Sequence, residues 1–372
     1  MTETNYYVGL ISGTSVDGID CVLVRFENNG TVELVDSVFK SCPQQLREEI
    51  LKLCTGKNIE LEELGQVDVS LGKVFAEAVN ELLEKTGIDA SKVRAIGSHG
   101  QTVFHHPKGD SPFTLQIADP NIIAQLTGIT TVADFRRRDM AVGGEGAPLA
   151  PLLHRNCFSS SEENRVVVNV GGISNITVLQ KNGECLAFDT GPANVLMDYW
   201  IGKHKGENYD ANGDWAATGE ANADLLELLL DEEYFLRPYP KSTGRELFNG
   251  PWLEQKLKDF SNTEELTAED IQATLLEFTV ASIAQDIENI LSPDAIFVCG
   301  GGAHNKTFMD NLQYQFENCT VESTTVVGID PDWVEAIAFA WMAQQTIDGK
   351  AIDTSAFTGA TEPVILGGIY QA

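Results

Sequence analysis

The stretch Ser12-Gly13-Thr14-Ser15-Val16-Asp17-Gly18-Ile19-Asp20 breaks an apolar run that resumes at once as Cys21-Val22-Leu23-Val24. Glycine and small hydroxyl residues let a backbone come close to a ligand. The aspartates beside them suit a cation, and a phosphate group with its metal would satisfy both. A similar turn recurs as Asn169-Val170-Gly171-Gly172-Ile173-Ser174, and a third glycine loop, Gly300-Gly301-Gly302, follows an apolar strand pattern. Backbone N–H groups of such turns hold phosphate oxygens. One loop alone reads more simply as a strand connection; two at matched positions favour phosphate. Asp189 closes a strand pattern before Thr190-Gly191-Pro192, where a carboxylate either accepts a proton or caps a helix. Glu335 sits among Val334, Ala336, Ile337, Ala338 and Phe339, and a carboxylate inside an apolar helix is costly unless partnered. His99 and Gln101 follow another strand end, as ligand-binding groups or as satisfied core residues. Arg136-Arg137-Arg138 stands out in an acidic chain, and one of them could take a carboxylate bidentately.

Two copies of one pattern position these residues. YYVGLIS, IDCVLVRF and TVELVDSVFK read as strands, joined by the glycine turn and by Asn28-Asn29-Gly30. PQQLREEILKLC, with Leu46, Ile50 and Leu53 on one face, reads as a helix. The second copy has strands over 165–170, 175–180 and 184–189, with an Asn182-Gly183 hairpin turn. A helix then opens at Thr190-Gly191-Pro192 and runs through ANVLMDYWI. Later, a strand over 92–97 enters Ser98-His99-Gly100-Gln101, as a strand over 294–299 enters Gly300-Gly301-Gly302-Ala303-His304-Asn305. Each is followed by a helix and a strand: NIIAQLTG and ITTVAD, then KTFMDNLQYQF and TVESTTVV. The fold class expected is α/β, with two duplicated βββαβαβ domains flanking a nucleotide and substrate cleft. Ligands of open α/β sheets gather at the strand-end loops.

A chain of 372 residues suits two domains. Its formal net charge of −30 repels nucleic-acid phosphates, so no nucleic-acid partner is expected. MTETNYYVGLIS lacks the basic start of a signal peptide. No apolar run approaches the about 18 residues of a membrane span, so no membrane association is expected. The seven cysteines, 21, 42, 54, 157, 185, 299 and 319, include no CxxC pair. Reduced thiols, a cytoplasmic setting and no zinc site are the expectation. No Gly-Lys pair has the P-loop frame. Gly143-Gly144-Glu145-Gly146 does not stand between a strand and a helix, as a dinucleotide fingerprint requires. GxSxG and HExxH are absent.

The motifs SGTSVDGID (12–20), GSHGQT (97–102), DFRRRD (134–139), GGEGAP (143–148), NVGGISNIT (169–177), FDTGPANVLMD (188–198), CGGGAHN (299–305) and DWVEAIAFAWMA (332–343) together resemble the anhydro-N-acetylmuramic acid kinases, within the actin, hexokinase and heat-shock ATPase superfamily. The likeness extends from residue 8 to the terminal ILGGIY. Val16 and Ala193 depart from the expected methionine and glycine without removing a functional group. The resemblance implies ribonuclease-H-like domains over 1–134, joined by 360–372, and over 135–359. It implies an ATP- and Mg²⁺-dependent kinase that adds water at C1 of 1,6-anhydro-N-acetylmuramic acid and phosphorylates O6, in reuse of cell-wall fragments. Gly13, Thr14, Ser15, Val16, Asp17, Gly18, Ile19 and Asp20 would form the first phosphate loop, with Asp17 or Asp20 reaching the metal through water. Asn169, Gly171, Gly172 and Ser174 would form the second, and Gly300, Gly301 and Gly302 would lie under the adenosine. Asp189 would activate the water, with Glu335 as its catalytic partner. His99, Gln101, Arg136 and Asn194 would contact the sugar. A homodimer is expected by resemblance. The alternatives are another sugar or small-molecule kinase of the superfamily, a chaperone or filament ATPase, and a polyphosphate phosphatase.

Overall fold

The computed structural model describes residues 6–13, 15–27, 31–261 and 265–372. Thr14 and the Asn28-Asn29-Gly30 turn lie outside them. The chain opens with three antiparallel strands, β1 (Tyr6–Ile11), β2 (Gly18–Phe26) and β3 (Val32–Ser41). Cys21, Val22, Leu23 and Val24 are all buried, so both faces of β2 are covered. Helix α1 (Gln44–Cys54) buries Leu46, Ile50 and Leu53, as its periodicity predicts. Helix α2 (Leu61–Thr86) follows. Strand β4 (Val93–Ser98) runs parallel to β1. Strands β5 (Gln101–His106) and β6 (Phe113–Ile117) pair as a separate hairpin. Helix α3 (Pro120–Thr127), capped by Asp119, leads to β7 (Thr131–Ala133), parallel to β4. Helices α4 (Phe135–Met140) and α5 (Ala150–Phe158) come next.

The pattern then repeats. Strands β8 (Arg165–Val170), β9 (Ile173–Leu179) and β10 (Cys185–Pro192) are antiparallel. Helices α6 (Asn194–Lys205), α7 (Ala223–Leu230), α8 (Gly250–Asp259) and α9 (Ala268–Glu288) follow. Strand β11 (Ala295–Cys299) is parallel to β8; after α10 (Lys306–Gln315), β12 (Thr320–Ser323) is parallel to β11. Helices α11 (Val334–Ile347) and α12 (Ser355–Thr358) precede β13 (Gly368–Tyr370), antiparallel to β7.

The sheet orders are β13-β7-β4-β1-β2-β3 and β10-β9-β8-β11-β12. Numbered within each copy, both read 3-2-1-4-5 with the same parallel and antiparallel pairings, and β13 adds an edge to the first. The expected duplication is present. Two local expectations are corrected. The strand begun at Thr320 stops at Ser323 and Thr324–Val327 turns as a 3₁₀ helix. Residues Thr190, Gly191 and Pro192 belong to β10, and α6 begins only at Asn194.

The compact units are Met1–Cys157 with Trp333–Ala372, and Phe158–Asp332. The boundaries expected after residues 134 and 359 are therefore corrected to positions after 157 and 332. Buried Asp139 accepts hydrogen bonds from the Thr354 and Thr358 hydroxyls at 2.6 and 2.8 Å, and Arg155 Nη2 donates to the Asp353 carbonyl at 2.6 Å. Helix α11 lies so close on β1 and β4 that a Cβ at Gly9 or Gly97 would fall 1.9 or 2.0 Å from the carbonyl oxygen of Ala336 or Phe339. Each unit has its own core, around Leu23, Leu71 and Phe75 in the first and around Val168, Leu275 and Phe278 in the second.

Candidate functional site

In the first unit the loop between β1 and β2 is tied down by its own backbone. Ser12 N–H donates to Gly100 O at 3.3 Å and Val16 N–H to Gly13 O at 3.1 Å. Ser15 Oγ donates to Asp17 Oδ1 at 2.7 Å. Val16 adopts φ 53°, a left-handed conformation unusual for a β-branched residue. Its side chain and that of Ile19 are buried in the core, so both side chains anchor the loop. Gly18 is required by packing, since a Cβ there would lie 2.4 Å from the Phe39 ring. Gly13 differs: a Cβ would meet nothing nearer than Ser15 Oγ at 4.0 Å. Among the described residues beyond its chain neighbours, nothing else comes within 4 Å of that position. Asp17 is exposed and Asp20 half-buried.

His99 is buried and fully engaged. Arg136 Nε donates to His99 Nε2 at 2.9 Å, which leaves Nδ1–H to donate to Gly100 O at 2.9 Å. Burial and the neighbouring guanidinium hold its pKa well below the ordinary imidazole value. Its ring packs on Phe339 at 4.7 Å. Held in this way, the buried histidine orients Arg136. Arg136 Nη1 donates to Gly146 O at 2.9 Å, and Nη2 has no partner among the described residues. Desolvation pulls the Arg136 pKa down to about 10, against Glu335 and Asp139. Glu335 occupies the first turn of α11 and is exposed, with the buried residues of that helix running on from Ala336. Although part of the side chain reaches solvent, the surrounding protein still desolvates the carboxyl, and Arg136 is its charged neighbour, in line with the cost expected for a carboxylate in this apolar helix. Desolvation raises its pKa and Arg136 opposes the rise. Gln101 is buried, with Nε2 donating to Thr102 O at 3.2 Å and Oε1 unpartnered among the described residues.

In the second unit Asp189 lies within β10 opposite Asn175, at a bulge before Gly191. It does not cap α6, whose cap position is Ala193 with no side-chain bond. Its Oδ2 accepts from Ser242 Oγ at 3.0 Å and from Thr243 N–H at 3.1 Å. Its N–H donates to Lys241 O at 3.1 Å, and its carbonyl accepts from the Tyr234 hydroxyl. Oδ1 accepts nothing among the described residues. Desolvation raises the Asp189 pKa, the Thr243 and Ser242 hydrogen bonds lower it, and Glu246 adds to the rise.

The glycine loops of this unit divide by role. Cβ atoms at Gly171 and Gly172 would meet nothing closer than 3.5 Å, so packing does not demand glycine there. Ser174 is spent internally, bonded to Thr190 Oγ1 at 2.6 Å and donating to Gly191 O at 3.1 Å. Asn169, at the end of β8, packs under Gly300, where a Cβ would fall 2.5 Å from Asn169 Oδ1. A Cβ at Gly302 would fall 2.2 Å from Val170. Gly300 and Gly302 therefore serve packing, and Gly301 alone of the triplet would admit a Cβ without crowding, its nearest neighbour being Asn194 Nδ2 at 3.8 Å. Gly301 lines a cavity of about 450 Å³ with Asn194, Met197, Asp198, Tyr209, Asp210 and His304. Asn194, expected at the sugar, lies here, with Nδ2 donating to Val170 O at 3.2 Å.

Asp198, Asp210, Ser242 and Thr243 were not anticipated from sequence. Desolvation pushes the Asp198 pKa up to about 7, with Arg245 lowering it and Asp210 raising it. A signal existed for Asp198, since Asn194, Met197 and Asp198 stand at i, i+3 and i+4 and share a helix face. Among the described residues no cluster of three or more His, Cys, Asp or Glu side chains is placed to hold a metal ion. No helix among them is long and apolar enough to cross a membrane.

Comparison with known proteins matches residues 5–372 to the family model described as anhydro-N-acetylmuramic acid kinase. A protein of that name from Photobacterium profundum is 48% identical over 374 residues, covering 98% of each chain. One from Shewanella oneidensis is 49% identical over 368 residues, covering 99% of each. Two glycine turns where packing does not demand glycine, a strand carboxylate with one oxygen unpartnered among the described residues and this full-length likeness agree: the chain belongs to the anhydro-N-acetylmuramic acid kinase family of ATP-dependent sugar kinases.

Proposed function

We propose that the protein adds water at C1 of 1,6-anhydro-N-acetylmuramic acid and transfers the γ-phosphoryl group of ATP to O6, giving N-acetylmuramic acid 6-phosphate and ADP. The Asp189 carboxylate carries this reading. One oxygen is fixed by Ser242 and Thr243, the other is bare, and desolvation favours proton uptake. Asp189 takes a proton from water as the water oxygen bonds to C1. The C1–O6 bond breaks, and O6 bonds to the γ-phosphorus as the bond to ADP breaks. Gly13 in the first unit, and Gly171 and Gly172 in the second, each offer backbone to phosphate oxygens where packing does not demand glycine. The nucleoside enters the cavity beside Gly301.

Exposed Asp17 and half-buried Asp20 flank the first loop and fit a magnesium ion held through its waters. The ion would supply charge neutralisation at the phosphates. Arg136, oriented by His99, offers Nη2 to the lactyl carboxylate of the sugar. Glu335, on the same unit, accepts from a sugar hydroxyl. A cytoplasmic homodimer acting in cell-wall reuse completes the reading. Incubation with ATP, Mg²⁺ and 1,6-anhydro-N-acetylmuramic acid, glucose or N-acetylglucosamine tests it through ADP release. Equal turnover on a free hexose would overturn the choice of acceptor. In ¹⁸O water the label is expected at C1 of the product; label in its phosphoryl group would overturn the order of bonds.

A further inference from the structure

We propose that the buried ion pair Lys241–Asp286 is a positioning device for the Asp189 carboxylate, acting through the backbone of residues 241–243. The inference rests on Asp189 as the base. Lys241 Nζ stands 3.0 Å from Asp286 Oδ1, with the side chains 3% and 9% exposed. The same ammonium lies 5.0 Å from the centroid of Tyr234, 5.8 Å from Phe235 and 5.9 Å from Phe188. A buried pair is weak evidence for stability, because desolvation offsets the attraction, and its best-attested use is to fix a register.

Here the register has a chemical target. The Lys241 carbonyl accepts the Asp189 N–H, and the next two residues supply both donors to Asp189 Oδ2. Ser242 is exposed, and residues 237–243 form neither helix nor strand. Without an anchor those donors would belong to a free surface loop. Asp286 comes from α9, a helix packed against β10, so the anchor and the carboxylate share one rigid frame. Tyr234 closes the arrangement, since its ring faces the ammonium and its hydroxyl donates to the Asp189 carbonyl. Besides these groups, Glu246 faces Asp189, and Arg237 stands over the Tyr234 ring.

Both donors favour the charged carboxylate, so loosening them moves its proton affinity upward. The test uses the full chain with ATP, Mg²⁺ and the anhydro sugar. Lys241→Met, Asp286→Asn and Ser242→Ala are compared for kcat and KM against pH and for site-specific ¹³C titration of Asp189. The acid limb of kcat/KM and the ¹³C midpoint are expected to rise by about one pH unit, the order expected for losing a hydrogen bond to a carboxylate. KM for ATP should stay within about twofold, and Lys241→Arg should recover part of the shift. If Lys241→Met does not fold, Asp286→Asn and the exposed Ser242→Ala decide. Wild-type titration in the folded variants, whatever their thermal stability, would overturn the proposal and leave a merely structural pair. Asp189→Asn is run in parallel. Retained kcat there defeats the base assignment, whereas lost kcat beside wild-type profiles in the Lys241 and Asp286 variants defeats the positioning role alone.

Discussion

Replacing Asp189 by Asn keeps the shape that Ser242 and Thr243 hold and removes the proton acceptor. Turnover should fall about 10²–10⁴-fold, the range of a positioned base. The loss should appear in kcat with KM for ATP nearly unchanged, because Gly13, Gly171 and Gly172 are untouched; steady-state kinetics checks this. Asp198 makes a different prediction. Its folded pKa of about 7 is raised above the ordinary carboxylate value, so its contribution to stability is lost as pH rises through that value. Asp198→Asn should therefore raise Tm at pH 8, and the gain should shrink as pH falls from 7 towards 4, as melting curves against pH would show. At this scale the strand-end placement that makes Asp189 a candidate was legible, because a carboxylate closing an apolar strand pattern before a Thr-Gly-Pro turn is unusual. Its partners were not. Ser242 lies 53 residues away in sequence, and no periodicity links an irregular loop to a strand.

Strands and short amphipathic helices were legible because their burial follows a period. Strands β1 to β3 and helix α1 stand within a few residues of where alternation and the Leu46-Ile50-Leu53 face put them. Helix α9 offers no such stripe, since residues from Ile271 to Ile287 are buried on almost all sides, Gln272, Thr274 and Thr279 included. The continuation of β10 through Pro192 was hidden by the Thr-Gly-Pro turn signal, which tertiary bonds from Ser174 override. Contact between elements sets the sign of two glycine substitutions. Gly97→Ala would put a Cβ 2.0 Å from the Phe339 carbonyl, so it should force α11 off the sheet and cost about 1–3 kcal/mol or more. Gly65→Ala, inside α2 with nothing within 4 Å of the added atom, should stabilise by about 0.5–1 kcal/mol. Denaturant unfolding of the two variants would show the opposite shifts.

A net charge of −30 on 372 residues opposes compactness through self-repulsion. Raising monovalent salt until the screening length drops from about 10 Å to about 3 Å should raise Tm, measurable by calorimetry; a flat response would mean the charges are already locally paired. The duplication was legible at this scale, and the unit boundaries were not. The bond from Thr354 to Asp139 spans 215 positions, and nothing local to either residue announces it. That interrupted unit has a consequence for synthesis. Strands β1 and β4 leave the ribosome long before α11 and β13, whereas Phe158–Asp332 is continuous and meets all its own partners as it emerges. A nascent chain arrested once Asp332 has cleared the exit tunnel should carry a protease-resistant second unit. Its first sheet should still be open to cleavage and to chaperones along the Gly9–Gly97 face that α11 has yet to cover.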